Sequence, residues 1–302
     1  MRVEALECSR VADFVAFCKR HRAELDDSFL YDEDLKGFEA NEENPTYIVM
    51  NDQGRIVAAA SLIMDEYFKR GRKARFRIFY SEVDELKYYQ MLLDAVLKYT
   101  ADVDKVFLFV PLVNESLIDS MKDLDFISER YTFLLVREAE DEPAINLPEG
   151  YEIRSFIPRQ DEETWCQVRN ASFAKLRGSE TPITPEMVTK MTKEEDYLNG
   201  GMMILYHHKR AVGVVRGADD EYENAPIMNI GPVAVIPEYQ GRGLGRCLLR
   251  AALHFAKEQS YQRTVLCVNA ENERAKALYI QEGFKQVEAV VCMERSCHRV
   301  LD

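Results

Sequence analysis

The sequence of 302 residues lacks several features that would each point to a particular class of protein. Its longest apolar runs are too short to cross a membrane, and residues 1–7 contain no apolar core typical of a signal peptide. Its formal net charge of −13 provides no basic surface for nonspecific binding of nucleic acid. We therefore expect a protein with neither a membrane nor a nucleic acid as its partner.

The seven cysteines include no Cys-x-x-Cys pair. Several, including Cys247 and Cys267, fall inside helical or strand patterns, which favours reduced thiols over disulfides or zinc sites. His207 and His208 are neighbours at a predicted turn, but no further His or Cys lies nearby in the sequence. These features predict a cytoplasmic protein that binds no metal.

The most informative stretch is residues 233–249, Val-Ala-Val-Ile-Pro-Glu-Tyr-Gln-Gly-Arg-Gly-Leu-Gly-Arg-Cys-Leu-Leu. It predicts a strand that ends at Pro237, a glycine-rich turn and an amphipathic helix. Gly241, Gly243 and Gly245 allow a tight turn whose N–H groups converge at the positive end of the helix dipole. One glycine would suffice for a simple turn, so the stretch indicates a site for a phosphate or pyrophosphate.

Two familiar glycine motifs do not fit this stretch, because its spacing is not Gly-x-Gly-x-x-Gly and no Gly-Lys-Ser/Thr follows. Instead, Gln240-Gly-Arg-Gly-Leu-Gly245 after the strand Val233–Val235 resembles the acyl-CoA loop of the GNAT acetyltransferase superfamily. Asn272-x-x-Ala-x-x-Leu-Tyr279, followed by Gly283-Phe284, matches a second signature of that superfamily. The resemblance rests on both stretches together.

This resemblance implies an acetyl-CoA-dependent N-acetyltransferase that acetylates a primary amine of a small molecule or peptide. It implies that Tyr279, two helical turns beyond Asn272, protonates the departing thiolate; the alternative is a core aromatic residue. Asn272 could equally cap its helix. By the same resemblance, the CoA-binding residues are Val233, Ala234, Val235, Gln240, Gly241, Arg242, Gly243, Leu244, Gly245, Arg246 and Asn272.

The general base is left open by the sequence. Many members of the superfamily place a Glu eleven residues before the loop Gln, where this chain has Asn229. An amide accepts no proton at neutral pH, although it can position a water. The base is therefore another residue, a chain of waters, or unnecessary for a weakly basic amine.

The second half of the chain repeats the first. Asn114 and Phe126 match Asn272 and Phe284, since 272 − 114 and 284 − 126 both equal 158. We expect two tandem GNAT-like α/β domains, residues 1–142 and 143–302, each with a mixed, mostly antiparallel twisted sheet flanked by helices. A charged linker at 138–143 would join them. The order of the copies, and Leu147-Pro-Glu-Gly150 at the start of the second, is similar to the mycothiol synthase family.

The first copy has lost the features that carry the resemblance. Where the second has the glycine loop, the first has Val83-Asp-Glu-Leu-Lys-Tyr88, and Glu82, Asp84 and Glu85 would repel a pyrophosphate. Met121 replaces the tyrosine. We therefore expect a degenerate N-terminal domain that completes the substrate cleft or stabilises the pair.

A basic cluster precedes that stretch in the first copy, between Lys69 and Arg77. We expect it to form a solvated hairpin turn that runs into a strand. The alternative is a rim that attracts anionic groups of the substrate or of CoA.

Two other functions remain compatible with the pattern. One is a noncatalytic acyl-CoA-binding regulatory protein, and the other is a structural protein that binds a partner protein. The identity of the acceptor and the oligomeric state, which includes the option of a homodimer, are left open by the sequence.

Overall fold

In the computed structural model, which describes residues 2–138 and 143–297, the chain divides into two compact units. Unit 1 contains Met1–Thr132 and Ala289–Asp302, and unit 2 contains Phe133–Glu288. These boundaries differ from the predicted 1–142 and 143–302, because residues 133–138 pack within unit 2 and the last strand ends within unit 1. Residues 139–142 of the predicted linker lie outside the described residues.

Unit 1 is an α/β sheet structure in the strand order β1-β2-β3-β4-β5-β12. Its elements are β1 (Val3–Ala5), α1 (Val11–His21), α2 (Asp32–Leu35), β2 (Thr46–Met50), β3 (Ile56–Ile63), α3 (Glu66–Arg70), β4 (Lys73–Ser81), α4 (Leu86–Val96), β5 (Lys105–Pro111), α5 (Glu115–Asp123), the first half of β6 (Ile127–Glu138) and the end of β12 (Lys285–Ser296).

The strands of unit 1 are antiparallel from β1 to β4, and β4 and β5 are parallel. Strands β2 and β3 form a hairpin, with Gly54 at φ +74° in its turn. Strand β12 pairs antiparallel with β5, from Val290 opposite Pro111 to Ser296 opposite Lys105. A strand from the second half of the sequence therefore adds to the sheet that the first half builds, between β5 and β6.

Unit 2 has the strand order β6-β11-β10-β9-β8-β7. Besides the second half of β6, its elements are β7 (Tyr151–Ser155), α6 (Glu162–Phe173), α7 (Pro185–Met191), β8 (Tyr197–His207), β9 (Arg210–Tyr222), β10 (Ala225–Val235), α8 (Leu244–Glu258), β11 (Arg263–Asn269) and α9 (Glu273–Gln281). Strands β7 to β10 are antiparallel and β10 pairs parallel with β11, so the predicted mixed, mostly antiparallel sheet is confirmed.

The hairpin of β9 and β10 is longer than the sequence indicates. It turns at Glu223 and Asn224, whose φ angles of +55° and +58° suit a two-residue turn between antiparallel strands. The glycine that usually marks such a turn is missing here, which hides the turn in the sequence. None of the helices formed by the described residues combines the length and the apolar character needed to cross a membrane.

Candidate functional site

The predicted phosphate-binding loop, Gln240–Gly245, connects β10 to α8. Gly241 and Gly243 have φ angles of +76° and +78°, a left-handed conformation that L-residues with side chains rarely adopt. A Cβ added at either position would meet nothing within 4 Å, so the backbone conformation, and not crowding, requires glycine there. Gly245 differs, because its φ is not positive and its Cβ would lie 3.8 Å from Leu278.

Several N–H groups at the start of α8 are available to a ligand. Gly243 is the N-cap residue and offers no side chain to the helix, while the N–H groups of Arg246 and Cys247 bond to its carbonyl at 3.1 and 3.3 Å. In the described part of the chain, the N–H groups of Gly243, Leu244 and Gly245 have no hydrogen-bond acceptor. The helix dipole adds positive potential at this point, so the loop fits an anion such as a pyrophosphate.

The polar side chains of the loop have protein partners. Gln240 donates from Nε2 to the carbonyl of Val235 at 2.8 Å and so closes the turn. Arg242 donates to a carbonyl of the preceding turn at 2.9 Å. Arg246 lies 3.2 Å from the carboxylate of Glu282, and its side chain is still 41% exposed. The loop is therefore ordered by its own side chains, while its backbone faces outward.

Strands β10 and β11 separate beside this loop. They pair only at Met228–Thr264 and Asn229–Val265 and diverge beyond that point, which opens a wedge. Within the wedge, the stretch Val233–Val235 pairs with β9 along one edge and leaves its other edge unpaired. An extended amide chain such as the pantetheine arm of CoA can add to such an edge as a further strand does.

A cavity of about 1160 Å³ fills the wedge and extends to the phosphate-binding loop. It exceeds the roughly 300–1,000 Å³ of sites for drug-sized ligands, so a long ligand fits. Of the predicted CoA-binding residues, Arg242 alone is missing from its lining. Those that border it are Val233, Ala234, Val235, Gln240, Gly241, Gly243, Leu244, Gly245, Arg246 and Asn272, and Tyr279 borders it as well.

Asn272 and Tyr279 reach the cavity from α9. The side chain of Asn272 accepts a hydrogen bond from the N–H of Ala275 at 3.3 Å, so it caps the helix as well as lining the cavity. Tyr279 is 8% exposed, and its phenol has no hydrogen-bond partner among the described residues. Burial raises the pKa of Tyr279 to about 12, so the phenol is protonated at neutral pH.

A third wall of the cavity could not be recognised from the sequence. Residues 171–177, at the end of α6 and just beyond it, also border the cavity. Asn269, at the end of β11, donates to the carbonyl of Arg177 at 3.0 Å and holds this segment in place. The segment has neither glycines in a recognisable spacing nor an apolar period that would have indicated this role.

The corresponding wedge of unit 1 is filled by side chains. Strands β4 and β5 pair only from Lys73–Lys105 to Arg75–Phe107, so Arg75 occupies the position that Asn229 has in unit 2. Its guanidinium pairs with Asp26 and lies 4.4 Å from the ring centroid of Phe29. The prediction of a solvated basic turn is wrong for Arg75, because a carboxylate and aromatic faces stabilise its charge inside the unit.

A second group of bonded side chains lies at the end of β4, around Glu82. Glu82, which takes the place of the loop's first residues, accepts hydrogen bonds from Arg20 at 2.8 Å and from Arg55 at 2.5 Å, and His21 lies 2.8 Å from it. Burial alone would raise the pKa of Glu82, but the hydrogen bonds of His21 and Arg20 lower it below its usual value. Glu82, just beyond the end of β4, is therefore an ionised carboxylate bonded by three side chains.

Comparison with known proteins agrees with this geometry. Residues 165–284, which lie within unit 2, match the Acetyltransferase (GNAT) family. A mycothiol acetyltransferase of Kytococcus sedentarius is 30% identical over 149 residues, 49% of this chain and 50% of that protein. The mycothiol acetyltransferase of Pseudarthrobacter chlorophenolicus is 30% identical over 176 residues, 52% of each chain. The chain thus spans about half the length of the curated relatives it matches.

Two solved structures share the fold along nearly the whole chain. A GCN5-related N-acetyltransferase from Sphaerobacter thermophilus gives a TM-score of 0.73 at 17% identity, covering 99% of this chain and 96% of that one. A tandem GNAT protein from the clavulanic acid biosynthesis pathway gives 0.70 at 13% identity, covering 98% of each. The predicted resemblance to tandem GNAT proteins is confirmed.

Proposed function

We propose that unit 2 transfers the acetyl group of acetyl-CoA to a primary amine of a small molecule or peptide. One observation carries the proposal: one cavity is bordered both by the start of α8 and by Tyr279, and among the described residues neither the N–H groups of residues 243–245 nor the phenol has a hydrogen-bond partner. An anion site and a proton donor that border one cavity are what thioester cleavage requires.

Each part of the cavity has a role in this proposal. The backbone of the phosphate-binding loop holds the pyrophosphate, and the free edge of Val233–Val235 orients the pantetheine arm and offers an N–H to the thioester carbonyl. Asn272 bonds the arm from α9. Tyr279 gives its proton to the sulfur as the C–S bond breaks, a step for which a positioned acid contributes roughly 10²–10⁴-fold.

Unit 1 has no part in binding acetyl-CoA in this proposal. Arg75 and its partners occupy the closed end of its wedge, and the carboxylate of Glu82, just beyond β4, is bonded by Arg20, His21 and Arg55. A pyrophosphate would meet a negative charge that is already satisfied by three cationic or imidazole side chains. We therefore propose one cosubstrate site per chain.

The acceptor is proposed by chemical class. The relatives are named for mycothiol, which makes an amine that also carries a thiol a sensible first candidate. A test panel would hold an aminothiol (cysteamine), an amino sugar (glucosamine), a polyamine (spermidine) and a dipeptide (Gly-Gly). Release of free CoA from acetyl-CoA with each amine, together with the mass of the acetylated product, measures transfer directly.

Titration calorimetry with acetyl-CoA gives the second measurement. The proposal expects one site per chain and transfer to at least one amine of the panel. Binding without transfer to any amine would favour the noncatalytic acyl-CoA-binding alternative. An absence of binding would contradict the proposal altogether.

A further inference from the structure

Asp220 and Asn229 form a polar pair on the sheet of unit 2. Asn229 on β10 donates from Nδ2 to Oδ2 of Asp220 on β9 at 2.9 Å. Ala218 lies directly opposite Asn229, and Asp220 lies two residues further along β9, so the two side chains are diagonal neighbours on one face. Both are half-buried.

The pair stands at the closed end of the wedge. Asn229 is the last residue of β10 that pairs with β11, and the strands separate immediately after it. A cosubstrate held by the phosphate-binding loop and extended along Val233–Val235 would point its thioester back towards this end. The Oδ1 atom of Asn229 lies 3.9 Å from the position of a Cβ built on Gly231, two residues further along β10.

The carboxylate of Asp220 has no cationic partner among the described residues. One oxygen accepts from Asn229, and the other accepts from the N–H of Glu221 at 2.8 Å. A carboxylate has about four acceptor positions, so two remain. Arg216, four residues earlier on the same face of β9, is neutralised by Asp196 at 2.7 Å. Asp219 points to the opposite face, where it bonds Tyr261.

We infer that Asp220 is the proton acceptor for the incoming amine and that Asn229 is the residue that positions it. This inference rests on the proposed acetyl transfer. It also explains the amide at position 229: the amide orients a carboxylate supplied by the neighbouring strand.

The proposed step balances in atoms and charge. Asp220 takes one proton from the acceptor's ammonium group and leaves a neutral amine with a free electron pair. The nitrogen attacks the thioester carbon, so a C–N bond forms and the C–S bond breaks. Tyr279 protonates the leaving sulfur and is restored by the second proton that the nitrogen loses. The proton on Asp220 passes to water after the amide leaves.

The test uses the full chain, acetyl-CoA and the best amine of the panel, and compares Asp220→Asn with Asp219→Asn at pH 7 and pH 10. We expect Asp220→Asn to lower kcat/KM by roughly 10²–10³-fold at pH 7. The loss of kcat/KM relative to the wild type should be smaller at pH 10, because a larger fraction of the amine is already neutral in solution there. Acetyl-CoA affinity should be unchanged, and Asp219→Asn should behave as the wild type at both pH values.

A rescue variant distinguishes a role of Asp220 as proton acceptor from a purely structural role. Adding Asn229→Glu to Asp220→Asn returns a carboxylate to the closed end and should recover part of the activity at pH 7. If Asp220→Asn matches Asp219→Asn, or if it loses activity equally at both pH values without rescue, the inference is overturned.

Two further outcomes are also decisive. If thermal melting shows that Asp220→Asn does not fold, Asn229→Ala takes its place, because it removes the amide that positions the carboxylate. A loss of kcat/KM that is smaller at pH 10 than at pH 7 supports the inference. An equal loss at both pH values overturns it. A wild type that acetylates no amine of the panel overturns the proposed function, and the inference with it. A failure confined to the variants leaves the proposed function standing.

Discussion

Asn114 and Asn272 make the same contact in their respective units. Each is the N-cap of a helix and accepts a hydrogen bond from the N–H three residues on, at 3.2 Å from Leu117 and at 3.3 Å from Ala275. Only Asn272 also borders the cavity. The pair therefore offers a way to separate the capping role from the proposed contact with CoA.

We expect Asn114→Ala and Asn272→Ala each to lower the free energy of unfolding by about 1 kcal/mol, the usual cost of a lost cap. Only Asn272→Ala should weaken acetyl-CoA binding, by about tenfold if one hydrogen bond to the arm is lost. Denaturant titration and calorimetry on both variants measure the two effects. Equal affinity in the two variants would limit Asn272 to capping.

The glycines of the phosphate-binding loop are expected to differ in their tolerance of substitution. Gly243→Glu forces a side chain into a left-handed conformation and places a carboxylate among the N–H groups, so acetyl-CoA binding should be lost. Gly245→Ala is the control, because its Cβ would make only an ordinary contact with Leu278. Calorimetry should show near-wild-type affinity for the control. Unchanged binding by Gly243→Glu would place the site elsewhere.

Tyr279→Phe removes the proposed acid and keeps the ring. We expect kcat to fall by roughly 10²–10⁴-fold while acetyl-CoA affinity hardly changes. Steady-state assays with the best amine of the panel, alongside calorimetry, measure the two quantities. Turnover close to that of the wild type would make Tyr279 a packing residue.

The raised pKa of Tyr279 also predicts a dependence of stability on pH. Burial raises the folded-state pKa to about 12, whereas the unfolded value is about 10. Between these values the unfolded chain loses the proton that the folded chain keeps, so stability falls as pH rises, by up to about 1.4 kcal/mol per pH unit. Below about pH 10 the effect is absent. Denaturation of wild type and Tyr279→Phe at pH 9 and pH 11 should show the variant losing less stability.

The sequence is informative wherever local chemistry decides the structure. The loop glycines, the capping asparagines and the hairpin of β2 and β3 are each specified within a few residues. The tight glycine turn and the cap at Asn272 are found where the sequence indicates them. The interval of 158 residues that separates both Asn114 from Asn272 and Phe126 from Phe284 likewise predicts two related units. The same contact in each unit requires the same residue at the same place.

The remaining features depend on pairings that no local pattern encodes. Strand β12 pairs with β5, some 180 residues earlier, and nothing in the sequence of either strand indicates this partner. The local sequence predicts that Arg75 is solvated. Its partners Asp26 and Phe29 lie far away in sequence and come beside it only in the folded chain. The carboxylate of Asp220 is likewise far in sequence from any recognised motif, and only the register of β9 and β10 brings it beside Asn229.

The second half of β6 is expected to be essential to unit 2. Val136 is 8% exposed and packs with Ile227 and Val265, and Arg137 donates from Nε to the carbonyl of Glu282 at 2.7 Å. A piece that begins at residue 143, at the predicted domain boundary, loses these contacts and exposes the edge of β11. A piece that begins at residue 133 retains them.

We therefore expect the piece 143–288 to be less stable than the piece 133–288 by several kcal/mol, since each buried aliphatic side chain contributes about 1.5–3 kcal/mol. Urea denaturation of the two pieces measures the difference. Val136→Ala in the longer piece is the control for packing alone. It should lower the stability by only part of the difference between the two pieces, because the hydrogen bonds of the strand remain. Equal stability of the two pieces would show that residues 133–142 add nothing to unit 2 and that the predicted boundary at 142 describes its folding better.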